Sequence, residues 1–310
     1  MLLGVIRRSL VVALLAVLVL PGSSRLVAAA AAPPVEDALF EKLRLNLQRL
    51  DSSLDGVLGV AVKDLATGRV VELRGDVVFP QASSIKLALI YELYQQAGTG
   101  KVDLNALRTL PKARVGGSGV LPFLSDRAQL TVRDLAVLMM SLSDNAATNI
   151  LIDEVGGFAA INARMDRLGL LKTRLRRKMI DIAAARRGEE NVSTPLEMIR
   201  LVEAIHAASG LSPELAADLH AVVGLPKQTA FRAPLPEDLV VLDKPGELEG
   251  VRTSTGLVVL KNRPYAVAVM TTALQKESDG ENAIRDVSRL AYELFSRLDK
   301  ASPEGRLLGR

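Results

Sequence analysis

The order of strand-like and helix-like stretches restricts this chain more than any single residue does. Strand-like runs at 57–62 and 69–73 flank Ala66-Thr67-Gly68, a hairpin signal, and from Ser83 onward the composition is helical for about 140 residues. Strand character returns only at 239–242, 256–260 and 265–270, before a last helix at 281–298. An amphipathic helix at 37–50 precedes everything, with Leu39, Phe40, Leu43, Leu47 and Leu50 at steps of three and four. Strands at both ends with helices between them imply one sheet assembled from distant segments. The chain is therefore α/β in the α+β sense, a sheet lobe from about 36–82 and 225–310 and an all-helical lobe from about 83–224. A cleft between such lobes is a natural site.

Inside the helical part the punctuation is clear. Thr131 with Asp134 three residues later opens one helix, and Gly156-Gly157 closes the next. Thr194-Pro195-Leu196-Glu197 and Ser212-Pro213 start two more by placing a capping hydroxyl before a first-turn proline. The helix after Ser83 differs from these, because Ile85, Leu87, Ala88, Leu89 and Ile90 leave it no polar stripe and predict central burial. Lys86 stands in that run, and a lysine is seldom buried without a paired charge or a shifted pKa. On a helix, Ser83 and Lys86 share a face. That is the arrangement of an activated serine nucleophile, with free N–H groups at the helix start available to a developing oxyanion.

Composition removes several alternatives. The 310 residues are 49% hydrophobic and contain no cysteine, so disulfides, thiol catalysis and thiolate metal sites are excluded. Two histidines, His206 and His220, read as helix-surface residues and lack the spacing of a zinc site or a well-supplied Ser-His-Asp triad. Arg7, Arg8 and Arg25 account for most of the net charge of +4, and with 3% aromatics the rest gives no sign of nucleic-acid binding. The basic head at 1–8, apolar run at 10–20 and small residues at 27–32 have the three-part form of a secretory signal peptide covering 1–31, cut near Ala30 or Ala31. The run is too short for a comfortable membrane span, and Arg7-Arg8 permits twin-arginine as well as general export. The expected product is exported, periplasmic or extracellular, and monomeric, with no cofactor and no metal.

Three short patterns follow in order: Ser83-Ser84-Ile85-Lys86, Ser143-Asp144-Asn145 after the capped helix, and Lys244-Pro245-Gly246 after a late strand. Together, SxxK, SDN and Lys-x-Gly in a secreted chain resemble the penicillin-recognising serine hydrolases, and spacing and length are most similar to the class A β-lactamases. The likeness spans the mature chain at 36–310, including SDNAATNIL around Asn145 and the strands at 256–271. It implies a β-lactamase/transpeptidase-like fold with an antiparallel sheet. It also implies an acyl-enzyme on Ser83, Lys86 as base or relay, Ser143 as donor to the leaving nitrogen and Asn145 as a contact to the acylamido group. Lys244 would supply positive potential for the substrate carboxylate, and the N–H groups of Ser83 and Glu247 the oxyanion hole. A β-lactam or a cell-wall peptide is the implied partner.

Two departures qualify the likeness. Pro245 has neither the hydroxyl nor the N–H that the family uses beside Gly246 to hold the carboxylate. Arg252, with Thr253 and Ser254, is the expected replacement, since a guanidinium binds a carboxylate bidentately. The second departure is the loop before Thr194-Pro195, where class A enzymes carry a glutamate that positions the deacylating water. Counted from Thr173-Arg174-Leu175 that place falls on Met179, and counted back from Thr194-Pro195 it falls near Lys178 or, in a shorter loop, on Asp181. Asp181 is the expected substitute base, with Glu189 and Glu190 as further candidates. A DD-peptidase or esterase relative with slow deacylation, and a non-catalytic cell-wall binding module, remain the alternatives.

Overall fold

The computed structural model describes residues 34–302 and 304–308, so the leader expected at 1–31 lies outside the described residues. The chain starts with α1 (Pro34–Ser53) and the hairpin β1 (Val57–Asp64) and β2 (Val70–Leu73). A two-residue β3 (Phe79–Pro80) and a 3-10 turn over Ala82–Ile85 lead into α2 (Lys86–Gly98). The helical part continues through β4 (Leu107–Thr109), β5 (Gln129–Thr131), α3 (Val132–Ser141), α4 (Asn145–Glu154), α5 (Gly157–Arg167) and α6 (Ile182–Arg186). It closes with β6 (Val192–Ser193), α7 (Pro195–Ala207) and α8 (Pro213–Gly224). The chain then returns to the sheet as β7 (Val240–Leu248), β8 (Val251–Val259) and β9 (Tyr265–Thr272), and ends in α9 (Glu277–Leu298).

The main sheet runs β2-β1-β9-β8-β7, and all its pairings are antiparallel. Segments from both ends of the chain do meet in one sheet: Val60 faces Val269 and Val57 faces Thr272. The strands read as near-continuous apolar runs because both faces are covered. On one face, Val60, Val62, Val267 and Val269 pack with Phe40, Leu43 and Leu47 of α1 and with Val287, Leu294 and Phe295 of α9. Tyr265 stacks on Phe295 there, at 4.4 Å between ring centroids. On the other face, the small residues Ala61, Ala266 and Ala268 join the core that runs into α2, α3 and α7. Every residue from Lys86 to Tyr94 in α2 is buried, which confirms its central place. Among the described residues no helix is long and apolar enough to cross a membrane.

Three local readings change. The nucleophile helix does not start at Ser83: Ala82–Ile85 form a 3-10 turn, and the α-helix begins at Lys86. Lys244-Pro245-Gly246 does not merely follow the strand expected at 239–242 but lies within the observed one. β7 continues through it to Leu248 as the last strand of the sheet, where proline is tolerated, and the hairpin reverses at Glu249-Gly250. His206 and His220 are not surface residues; half-buried, they stack on each other between α7 and α8, with ring centroids 5.7 Å apart.

Candidate active site

Ser83 owes its position to a pinned turn. Gln81 N donates to Asn191 O at 2.8 Å, which ties the end of β3 to the chain before β6. Ala82 follows at φ 47, in the left-handed region, and turns the chain so that Ser83 stays half-exposed while Ser84 is buried. Ser84 Oγ is the anchor, donating to Lys244 O at 3.0 Å and lying 2.8 Å from Thr253 Oγ1. Thr253 Oγ1 in turn donates to Gln81 O at 3.1 Å. Gly246 lets β7 approach this turn: a Cβ there would sit 2.5 Å from Gln81 O and 2.8 Å from Ser84 N.

Lys86 is fully buried, yet its amine has polar company. Nζ donates to Ser143 O at 2.7 Å and Asn145 Oδ1 at 3.1 Å, and lies 2.9 Å from Ser143 Oγ. Ser83 is not among these hydrogen-bond partners. Burial, reinforced by the charge of Lys244 and opposed by Asp144, holds the Lys86 pKa well below the ordinary lysine range. An amine shifted toward its neutral form beside the Ser143 hydroxyl can take and hand on a proton.

Ser143 sits between α3 and α4 at φ 55. Asp144 fixes it there, capping α4 through Ala147 N and accepting from Val120 N and Leu121 N. Asn145 Nδ2 reaches Gly116 O at 3.0 Å, and Ser118 Oγ donates to Ser143 O at 2.8 Å. Gly117 and Ser118 were not foreseen as part of the site; the run Gly116-Gly117-Ser118-Gly119 was the signal, a chain segment built for close approach.

Ser83, Ser143, Asn145, Lys244 and Glu247 line one cleft of about 410 Å³. Of the six described non-glycine residues with positive φ, three (Ala82, Ser143 and Ile180) line it, the concentration of backbone strain that functional sites show. Lys244 is buried, its Nζ donates to Pro245 O at 3.0 Å, and burial together with the charge of Lys227 brings its pKa down to about 7.

The structure does not bring three of the expected residues, Arg252, Asp181 and Glu189, into this cleft. Arg252 pairs with Glu281 at 3.2 Å and Glu277 at 3.0 Å, donates to Leu248 O and Val251 O, and lines a separate cavity beyond Pro245. Local acids and carbonyls have consumed its guanidinium. Asp181 is the N-cap of α6, its Oδ1 accepting from Ala184 N at 2.9 Å, and Met179 and Ile180 rather than Asp181 line the cleft. Glu189 is drawn off by Arg187. Glu190 does line the cleft, held by Arg177 at 2.7 Å.

Residues 42–295 match the family model described as the beta-lactamase enzyme family. The chain is 26% identical over 256 residues to an imipenem-hydrolyzing beta-lactamase of Enterobacter cloacae, covering 80% of this chain and 88% of that protein. It is 28% identical over 261 residues to the carbapenem-hydrolyzing beta-lactamase KPC of Klebsiella oxytoca, covering 79% and 86%. Among solved structures, an ancestral class A beta-lactamase superposes with a TM-score of 0.75 at 31% identity, covering 82% of this chain and 100% of that one. The acyl-enzyme complex of a PBP-A variant with penicillin G superposes equally well, with a TM-score of 0.75 at 27% identity and coverage of 83% and 97%.

Proposed function

Since the chain belongs to the beta-lactamase enzyme family, we propose that it opens the β-lactam amide through an acyl-enzyme on Ser83. The observation that carries this reading is the buried Lys86 amine, shifted toward its neutral form and 2.9 Å from Ser143 Oγ, beside the cleft that Ser83 lines. Ser83 Oγ attacks the lactam carbonyl carbon and its proton passes to the neutral Lys86 amine. The C–N bond breaks as a proton reaches the leaving nitrogen by way of Ser143 Oγ, so the ring opens and Ser83 is left esterified. Asn145 holds the acylamido group, Lys244 attracts the substrate carboxylate, and the N–H groups of Ser83 and Glu247 face the oxyanion. Water then cleaves the ester, returning the serine proton. The leader expected at 1–31 directs this enzyme out of the cytoplasm, where β-lactams and cell-wall peptides are met.

A specific observation favours slow ester cleavage. At the place in the loop that a water-activating acid would fill, the cleft presents Met179, while Asp181 caps a helix and Glu190 is engaged by Arg177. Time-resolved mass spectrometry of the intact protein with benzylpenicillin tests both steps. The expected record is a stoichiometric adduct on Ser83 that persists after free penicillin is removed and never forms on a Ser83→Ala variant. Turnover without accumulation would show efficient deacylation and sink the slow-ester reading; neither adduct nor turnover would sink the Ser83 assignment itself.

A further inference from the structure

We propose that Ile180 sets the size of the acyl side chain that the Ser83 cleft accepts, an inference that rests on the acyl-enzyme reading above. Ile180 is held at φ 59, a left-handed conformation that a β-branched residue adopts only under constraint. Its two neighbours impose it. Met179 is bracketed by Asn149, Met179 N donating to Asn149 Oδ1 at 2.8 Å and Asn149 Nδ2 donating to Met179 O at 3.1 Å. On the other side, Asp181 is fixed as the cap of α6. Clamped between them, Ile180 lines the cleft.

There it meets the loop before α4. A Cβ on Gly117 would lie 2.9 Å from Ile180 Cδ1 and 3.0 Å from Asn145 Nδ2, and Gly117 is itself at φ 89. Only a glycine leaves room for this contact, and the contact lies beside the amide that receives the acylamido group. Lys244 and Pro245 line the cleft where the substrate carboxylate is drawn. The acyl side chain therefore runs toward Ile180 and Gly117, and these two bound its length. Leu142 and Met179 add apolar surface to a cleft that Arg177, Glu190 and Asn191 also line, so the favoured side chain is short.

Acylation rate constants for 6-aminopenicillanic acid, which has no acyl side chain, and for piperacillin, which has a bulky one, test this. In Ile180→Gly the piperacillin to 6-aminopenicillanic acid ratio is expected to rise by about tenfold, the scale on which a few apolar atoms in a pocket discriminate. Ile180→Asn, which also relieves the left-handed strain but keeps a side chain of comparable reach, is expected to hold the wild-type ratio. An unchanged ratio in Ile180→Gly overturns the proposal. So does a rise in both variants, because backbone freedom rather than side-chain bulk would then govern the opening. If the wild type forms no adduct with either compound, the acyl-enzyme reading fails and takes this one with it, a result distinct from adducts whose ratio ignores Ile180.

Discussion

At the scale of single residues, the two buried lysines divide the pH dependence between them. In the proposed mechanism Lys86 works as a base when neutral, so acylation is expected to rise as pH climbs through its lowered pKa. In the same mechanism Lys244 attracts a carboxylate when charged, and with a pKa brought down to about 7 it loses that charge as pH rises through that value. The second-order acylation rate with benzylpenicillin is therefore expected to fall on the alkaline side of about 7. Lys244→Arg, whose cation persists, is expected to flatten that limb; an unchanged limb in the variant would assign it to another group. That Ser83, Lys86, Ser143, Asn145 and Lys244 gather at one place was legible in the sequence because each lies in a short motif. The placement of Asp181 and Arg252 was not, because it depends on competing partners. Nothing in Met179-Ile180-Asp181 announces that a five-residue helix begins at Ile182 and takes the aspartate as its cap. Nothing around Arg252 announces that Glu277 and Glu281, on the first turns of α9, close on its guanidinium.

At the scale of elements, the β7 edge and the nucleophile turn act as one piece. Gly246→Ala would drive a Cβ into Gln81 O, Thr253 Oγ1 and Ser84 N, atoms of backbone and a buried hydroxyl that have little room to give. Such overpacking is expected to cost about 2 kcal/mol of stability, read from a denaturant midpoint. The displaced turn should slow acylation by about a hundredfold, the penalty of a misplaced reacting atom. A variant as stable and as reactive as wild type would show that the turn does not lean on β7. The helices were readable from their caps, as in the reciprocal Thr131 and Asp134 pairing and the Thr194 cap of α7. The strands were readable only in part, because Pro245 and Gly246 look like punctuation unless the neighbouring strand is known. β8 supplies that neighbour, with Ser254 opposite Pro245 and Thr253 opposite Gly246.

At the scale of the molecule, stability carries its own pH signature. Burial, and the neighbouring His220, hold the His206 pKa below the ordinary 6.5, while Glu203 pulls the other way. The folded protein therefore favours neutral His206, and the unfolded chain takes up its proton first as pH falls below 6.5. The contribution of this residue is complete above that value and is lost as pH falls through the lowered pKa. The urea midpoint is expected to decline over that window and to decline less in His206→Gln; parallel declines would place the proton uptake elsewhere. Composition and element order sufficed for the sheet built from both chain ends. They did not suffice for the histidine pair, which exists only because α7 and α8 pack side by side.

The pairing of Val60 with Val269 has a consequence for how the protein comes into being. β1 is among the first segments of this chain to be made, and one of its two partner strands is among the last. Until β9 arrives, β1 has only the short β2 beside it, and two strands alone are marginal in water. The helical segments can gain local order early, but the sheet must wait for a closure spanning most of the chain, which places folding in the slow, non-local regime. During that wait Val60 and Val62, fully buried in the finished protein, stay open to other chains. Yield on refolding is therefore expected to depend on protein concentration far more steeply than the finished fold would suggest.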